Sequence, residues 1–176
     1  MQHNHLNKYR NDTLRLKYWD YSSEGAYFIT ICTKDREHFF GEIIHGKMIL
    51  NQLGFVVQHE WEKSIEMRPD MNLTLGEFIV MPDHFHAVIM IGKNQYNTSN
   101  EKTESKNKFG PQSKNLSSII RGFKSAVTIH ARNINPEFGW QARFYDHIIR
   151  DPKSYEVISQ YIIDNPKKWI EDEFNK

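Results

Sequence analysis

Apolar and polar positions alternate along this chain in two rhythms, one of period two and one of period 3.6. The stretch Ala26–Thr33 (AYFITICT) is β-branched and aromatic, which predicts a central strand. Phe39–Ile44 and Lys47–Leu50 predict a hairpin turning at His45-Gly46. The rhythm then lengthens. Leu53, Val56, Val57, Glu60, Trp61, Ser64 and Ile65 follow a 3.6-residue period, a core-facing helix stripe with Asn51 as its cap and Arg68-Pro69 as its end. Residues 73–91 return to strands, with apolar runs Phe78–Met81 and Ala87–Ile91 on either side of a Pro82-Asp83 turn.

From Lys93 to Gly110 the composition turns to Asn, Ser, Thr, Lys and Glu, so positions 93–114 are expected to be a flexible loop. Leu116–Ala131 reads as a helix capped by Asn115, with Ile119, Ile120, Phe123, Val127 and Ile129 expected on its buried side. Trp140–Ile149 predicts a last strand. Asp151-Pro152 supplies a cap followed by a first-turn proline, opening a helix to about Asp164, where Asn165-Pro166 stops it. Ser154, Ile158, Tyr161 and Asn165 fall on one face of that helix. The order β, β-hairpin, α, β-hairpin, α, β, α points to an α+β fold, a single domain with a central antiparallel sheet and packed helices.

Composition changes that picture little. The chain has 176 residues, 39% hydrophobic and 13% aromatic, enough for one domain with a core. A formal charge of +1 excludes an argument from global basicity, so any polyanion site must come from local clustering. Cys32 is the only cysteine, which excludes an internal disulfide. Without a signal-like or membrane-length apolar run, a soluble cytoplasmic protein is expected.

Candidate chemistry begins at His84 and His86. On a strand, side chains two apart share a face, so these imidazoles stand together while Phe85 points the other way. Such a pair can share one divalent cation and leave positions open for substrate oxygens. A hydrogen-bonded strand pair with no metal is the alternative, and a second His-x-His, His3 and His5, lies in a polar tail with no assigned role.

Two stretches offer phosphate contacts. Residues 1–25 interleave bases and aromatics, among them Arg10 and Arg15, as a basic/aromatic arm or as a segment packed over the domain. Between Lys93 and Arg132, eight Lys or Arg stand against two Glu, and within it Arg121, Lys124 and Arg132 supply basic contacts.

In register from about Tyr27 to Trp169, MPDHFHAVIM, LSSIIRGFKSAV, WQARFYDHIIRD and YIIDNPKKW resemble the single-tyrosine HUH transposases, in the branch related to REP-associated tyrosine transposases. The resemblance implies a ferredoxin/RRM-like HUH nuclease fold over residues 26–170, leaving 171–176 as a tail. It also implies cleavage and rejoining of single-stranded DNA beside a small hairpin. Carried over, His84 and His86 hold the metal and Tyr161 is the nucleophile. Asn165 stands where many relatives have a metal-binding Gln, and its shorter side chain reaches less far. Mg²⁺ or Mn²⁺ suits imidazole plus phosphate oxygens. Tyr145 is the first rival nucleophile, and Tyr155, which opens the last helix, is another. Asp83 and His147 are left as outer or structural groups, and Cys32 is expected in the core. Family members act as monomers or homodimers.

Two other readings stay open. A non-catalytic nucleic-acid-binding module of the same fold would bind without its histidines. A hydrolase of small phosphoesters would form no covalent adduct.

Overall fold

The computed structural model describes residues 16, 19–98 and 113–169. Six strands and three helices follow in the order β1 (Gly25–Cys32), β2 (Gly41–Ile44), β3 (Lys47–Leu50), α1 (Gln52–Glu62), β4 (Leu73–Val80), β5 (His84–Ile91), α2 (Leu116–Ile134), β6 (Tyr145–Ile149) and α3 (Pro152–Asp164). Four strands form an antiparallel sheet ordered β4-β5-β1-β6, and β2-β3 forms a separate hairpin. This is the α+β domain with a central antiparallel sheet that the pattern calls for. No helix of the described residues is long and apolar enough to cross a membrane.

Local chemistry starts each helix. The Asn51 side chain accepts from Leu53 N and Gly54 N at 2.9 and 3.0 Å. Asn115 accepts from Ser118 N while the Ser118 hydroxyl accepts from Asn115 N, a reciprocal capping box. Asp151 accepts from Ser154 N ahead of Pro152. Each such cap contributes about 1 kcal/mol. The β2-β3 turn carries positive φ at both His45 (50°) and Gly46 (71°), the twist that suits a two-residue hairpin.

Strand alternation sorts the sheet into two faces. One carries Tyr27, Ile29 and Ile31 of β1 with Phe85, Ala87, Ile89 and Ile91 of β5, packed under α1 and α2 in the main core. The other carries Phe28, Val88 and Ile149 beneath Ile162 of α3. Helix α3 lies over β4, where register shifts between Leu75 and Phe78. A side chain at Gly76 in that bulge would collide with Tyr155 and Val88, so glycine lets α3 lie close to the sheet.

Several expectations need correction. Helix α1 ends at Glu62, residues 63–67 are turns, and Ile65 is exposed. Helix α2 runs on to Ile134. Ile129 is 67% exposed rather than core-facing. The last strand begins at Tyr145, and Trp140 contributes an isolated bridge to Thr33. Phe39 is buried but precedes β2. From the stretch before β1, Tyr21 packs into the core and the Trp19 indole donates to Tyr27 Oη at 3.2 Å.

Candidate active site

His84 and His86 occupy the α3 face at the start of β5, both buried, with ring centroids 4.4 Å apart and planes at 71°. The strand sets their spacing, and the turn before it is pinned from two sides. Thr33 donates to Asp83 O through its amide and its hydroxyl, each at 2.9 Å, and Phe40 N donates to Pro82 O at 3.0 Å.

Each imidazole is held by its Nδ1 edge. Asp83 Oδ1 lies 2.7 Å from His84 Nδ1, and Asp83 Oδ2 forms an ion pair with Arg36 Nε at 2.9 Å, so a buried carboxylate sits between guanidinium and imidazole. Thr30 Oγ1 lies 2.8 Å from His86 Nδ1, directly across the β1-β5 ladder. Held by these Nδ1 contacts, the two rings turn their Nε2 atoms to the opposite edges. Burial, then the neighbouring His84 and Arg36, hold the His86 imidazolium well below its ordinary range. A neutral imidazole results, which is the form that binds a metal.

Tyr161 comes from α3, where its hydroxyl lies 3.4 Å from His86 Nε2. Its ring stands edge-on to Phe28 at 6.1 Å and 5.3 Å from the His86 ring. Tyr161 is 37% exposed, so part of its side chain faces solvent. One turn further, Asn165 is buried at 2% exposure, and its Oδ1 has no hydrogen-bond partner among the described residues. Trp169 stacks on His84 at 6.0 Å, and His38 stands edge-on to the same indole at 5.6 Å.

The rival Tyr145 is 47% exposed on the edge strand β6, against the other side of Phe28 at 6.3 Å. It sits across from Thr30, and its ring contact is with Phe28. His147 is exposed on that strand, across from Phe28. Cys32, expected in the core, is half-buried on the histidine face, where Arg36 Nη1 donates to its sulfur at 2.7 Å.

Among the described residues, no three His, Cys, Asp or Glu side chains converge on one point. A cation here would have two imidazoles and the Asn165 amide oxygen, with its remaining ligands from outside the chain. Two buried imidazoles and an orphaned buried oxygen fit a divalent ion that keeps open positions.

Arg121 and Lys124 lie elsewhere. Both are on α2, the layer across the sheet from the histidines, and Lys124 Nζ donates to Gln141 O at 2.6 Å. Burial pulls the Lys124 ammonium below its ordinary range. Arg10 and Arg15 fall outside the described residues. Reading the sequence missed Thr30, Arg36 and Trp169. Thr30 left a signal, a hydroxyl at an alternate position of an otherwise apolar strand. Arg36 and Trp169 left none.

No family model matches the chain. An uncharacterized protein of Haemophilus influenzae is 41% identical over 165 residues, covering 92% of this chain and 91% of the relative. A second protein of that organism, provisionally named as a REP-associated tyrosine transposase, is 27% identical over 150 residues, 85% of this chain and 74% of its own length. The solved structure of a REP-associated tyrosine transposase bound to a REP hairpin superposes with a TM-score of 0.57 at 23% identity. It covers 90% of this chain and 74% of that one, a likeness of fold.

Proposed function

We propose, for a chain that belongs to one family with the uncharacterized Haemophilus influenzae protein and is related to the REP-associated tyrosine transposases, that it cuts and rejoins single-stranded DNA through Tyr161. The observation that carries the reading is the Tyr161 hydroxyl beside the Nε2 edge of a buried, neutral His86. The substrate class is single-stranded DNA with a hairpin, a reading supported by the structural neighbour, which is bound to a REP hairpin.

His84, His86 and Asn165 would hold Mg²⁺ or Mn²⁺. When bound, the ion supplies positive charge to the non-bridging oxygens of the scissile phosphate, a group that otherwise repels a nucleophile. The chain's own residues do the rest. Asp83, braced by Arg36, would orient the His84 ring through its Nδ1. Thr30 does the same for His86. Phe28 sets the plane of Tyr161 from below.

The Tyr161 oxygen then forms a bond to phosphorus as the bond from phosphorus to the 3′-oxygen breaks. The phenol passes its proton to solvent water, and the departing 3′-oxygen takes one from solvent. The product is a 5′-phosphotyrosine and a free 3′-hydroxyl. Because the bond energy is kept in the phosphodiester, the 3′-hydroxyl of the same or another strand can reverse the step. Tyr145 lacks the imidazole contact that would put its oxygen beside the cation, so Tyr161 is preferred.

The test is covalent trapping. The protein is incubated with end-labelled single strands from the flanks of its own gene, with Mn²⁺ or with EDTA, and run on a denaturing gel. A metal-dependent adduct present in Tyr145→Phe and absent in Tyr161→Phe is expected. Loss in Tyr145→Phe alone would move the nucleophile to the edge strand. Tight binding with no adduct on either flank would leave a nucleic-acid-binding module.

A further inference from the structure

On the layer across the sheet from Tyr161, a groove runs between α2 and the segment 139–144. Lys34, Arg121, Lys124 and Arg132 line it, and no carboxylate among the described residues does. Four positive charges on one groove are a strong local excess in a chain whose formal charge is +1. Arg121, Lys124 and Arg132 recur along one side of α2, and Arg121 to Arg132 spans about 16 Å of helix rise. That length matches several successive phosphates of one strand, spaced at about 3.4 Å per nucleotide in stacked form.

The groove also holds Ile129, 67% exposed among these cations, and the half-buried face of Trp140. An apolar side chain beside basic ones suits a ligand with both phosphates and apolar faces. A nucleic-acid strand has both.

The groove is joined to the histidine site by one short turn. Lys34 lines the groove and its amide donates to Gly139 O at 2.8 Å, while Arg36, two residues on, pairs with Asp83 beside His84. Asp35 and Arg36 both take positive φ, 53° and 61°, which turns the chain from one layer to the other.

We infer that this groove binds the sugar-phosphate backbone of the substrate DNA away from the scissile phosphate, the strand passing around the Lys34–Arg36 turn between the two layers. The inference rests on the DNA reading above but not on its chemistry. It separates a positioning surface on α2 from the cutting surface under α3.

Anisotropy of fluorescein-labelled oligothymidylates, a hexamer and a strand of about 30 nucleotides, tests it in EDTA, where no cutting occurs. The double variant Arg121→Gln/Arg132→Gln is compared with the native chain across a salt series, with thermal melts to show that it folds. Lys34→Gln gives a second arm at the turn. For the long strand, the slope of log K against log salt should shrink by about 0.7 for each phosphate left unneutralised, about 1.4 for the double variant. Hexamer binding should change less than long-strand binding. Unchanged long-strand affinity and slope in both variants would overturn the inference, as would equal losses for both lengths.

The trapping assay keeps the two proposals apart. No adduct, with the groove effect intact, would sink the chemistry and leave the groove. A normal adduct with unchanged long-strand binding would sink the groove alone.

Discussion

The two faces of the sheet use the same strands for opposite purposes. Under α1 and α2, Phe85 meets Trp61, Phe78 and Phe123 in a cluster of rings at centroid distances of 5.1 to 6.1 Å. One residue either side of Phe85, β5 turns His84 and His86 into a face where Phe28, Val88, Ile149 and Ile162 make up the buried apolar cluster. That face also buries Thr30, Asp83 and Asn165. Burying polar groups costs stability unless they are hydrogen-bonded, and here Thr30 and Asp83 are bonded to the histidines. The large apolar face offsets that cost, and the strand's period of two keeps the faces separate. Stability and chemistry therefore sit one residue apart on β5.

The strongest way to break this division is on the apolar side. Phe85→Ala removes a fully buried ring from the middle of the aromatic cluster, and should cost about 3–5 kcal/mol in urea unfolding. His86→Gln, its neighbour, should cost far less. Comparable losses at both positions would mean that the histidine face also carries the fold.

Next in size is the support behind His84. Asp83→Asn keeps the size of the side chain but removes the negative charge beside Arg36 and His84 and replaces one carboxylate oxygen with an amide donor. Mn²⁺ affinity, read by calorimetry, should fall about 10- to 100-fold. Thr30→Val should act in the same direction on His86. Unchanged Mn²⁺ binding in both would remove these residues from the site and leave them as strand structure.

Much of this is legible in the sequence because it depends on local rules. Asn51, Asn115 and Asp151 announce their helices, and His-x-His on an apolar run puts both rings on one face whatever surrounds them. The misreadings have physical causes. Ile129 lies two residues beyond Val127, about 200° around a helix, so it points away from the buried stripe. Trp140–Phe144 alternates like a strand, yet the Gln141 amide donates to Cys32 O and Lys124 ties down the carbonyls of 141 and 142, turning that segment aside before Tyr145. The support of the histidines is hidden for a plainer reason. Thr30 and His86 are 56 positions apart, and only the folded ladder brings them together.

A smaller effect tests the neutral state of His86. Its imidazolium is disfavoured in the folded chain, first by burial and then by His84 and Arg36. Above the ordinary imidazole value, about 6.5, folded and unfolded chains are both neutral here and acidity changes nothing. Below it the unfolded chain takes up a proton that the folded chain refuses. Stability is therefore lost as the pH falls below that value, by up to about 1.4 kcal/mol per pH unit from this group. Urea midpoints in EDTA at pH 7.5 and 5.5 should show a steeper acid loss in the native chain than in His86→Gln. Parallel losses would mean that His86 protonates freely, and that its burial is shallower than its exposure implies.

The smallest effect is the most specific to the chemical face. Asn165 Oδ1 is buried without a hydrogen-bond partner among the described residues, a cost of about 1–3 kcal/mol that a fold has no structural reason to keep. Leucine has a similar shape and no polar atoms. Asn165→Leu should therefore leave the metal-free chain as stable as before or about 1 kcal/mol more stable, while weakening Mn²⁺ binding. The two readings pull in opposite directions, which separates ligand from scaffold. If Asn165→Leu destabilises the metal-free chain and leaves Mn²⁺ affinity alone, Asn165 belongs to the packing at the end of α3. The cation would then be held by His84, His86 and oxygens from the DNA.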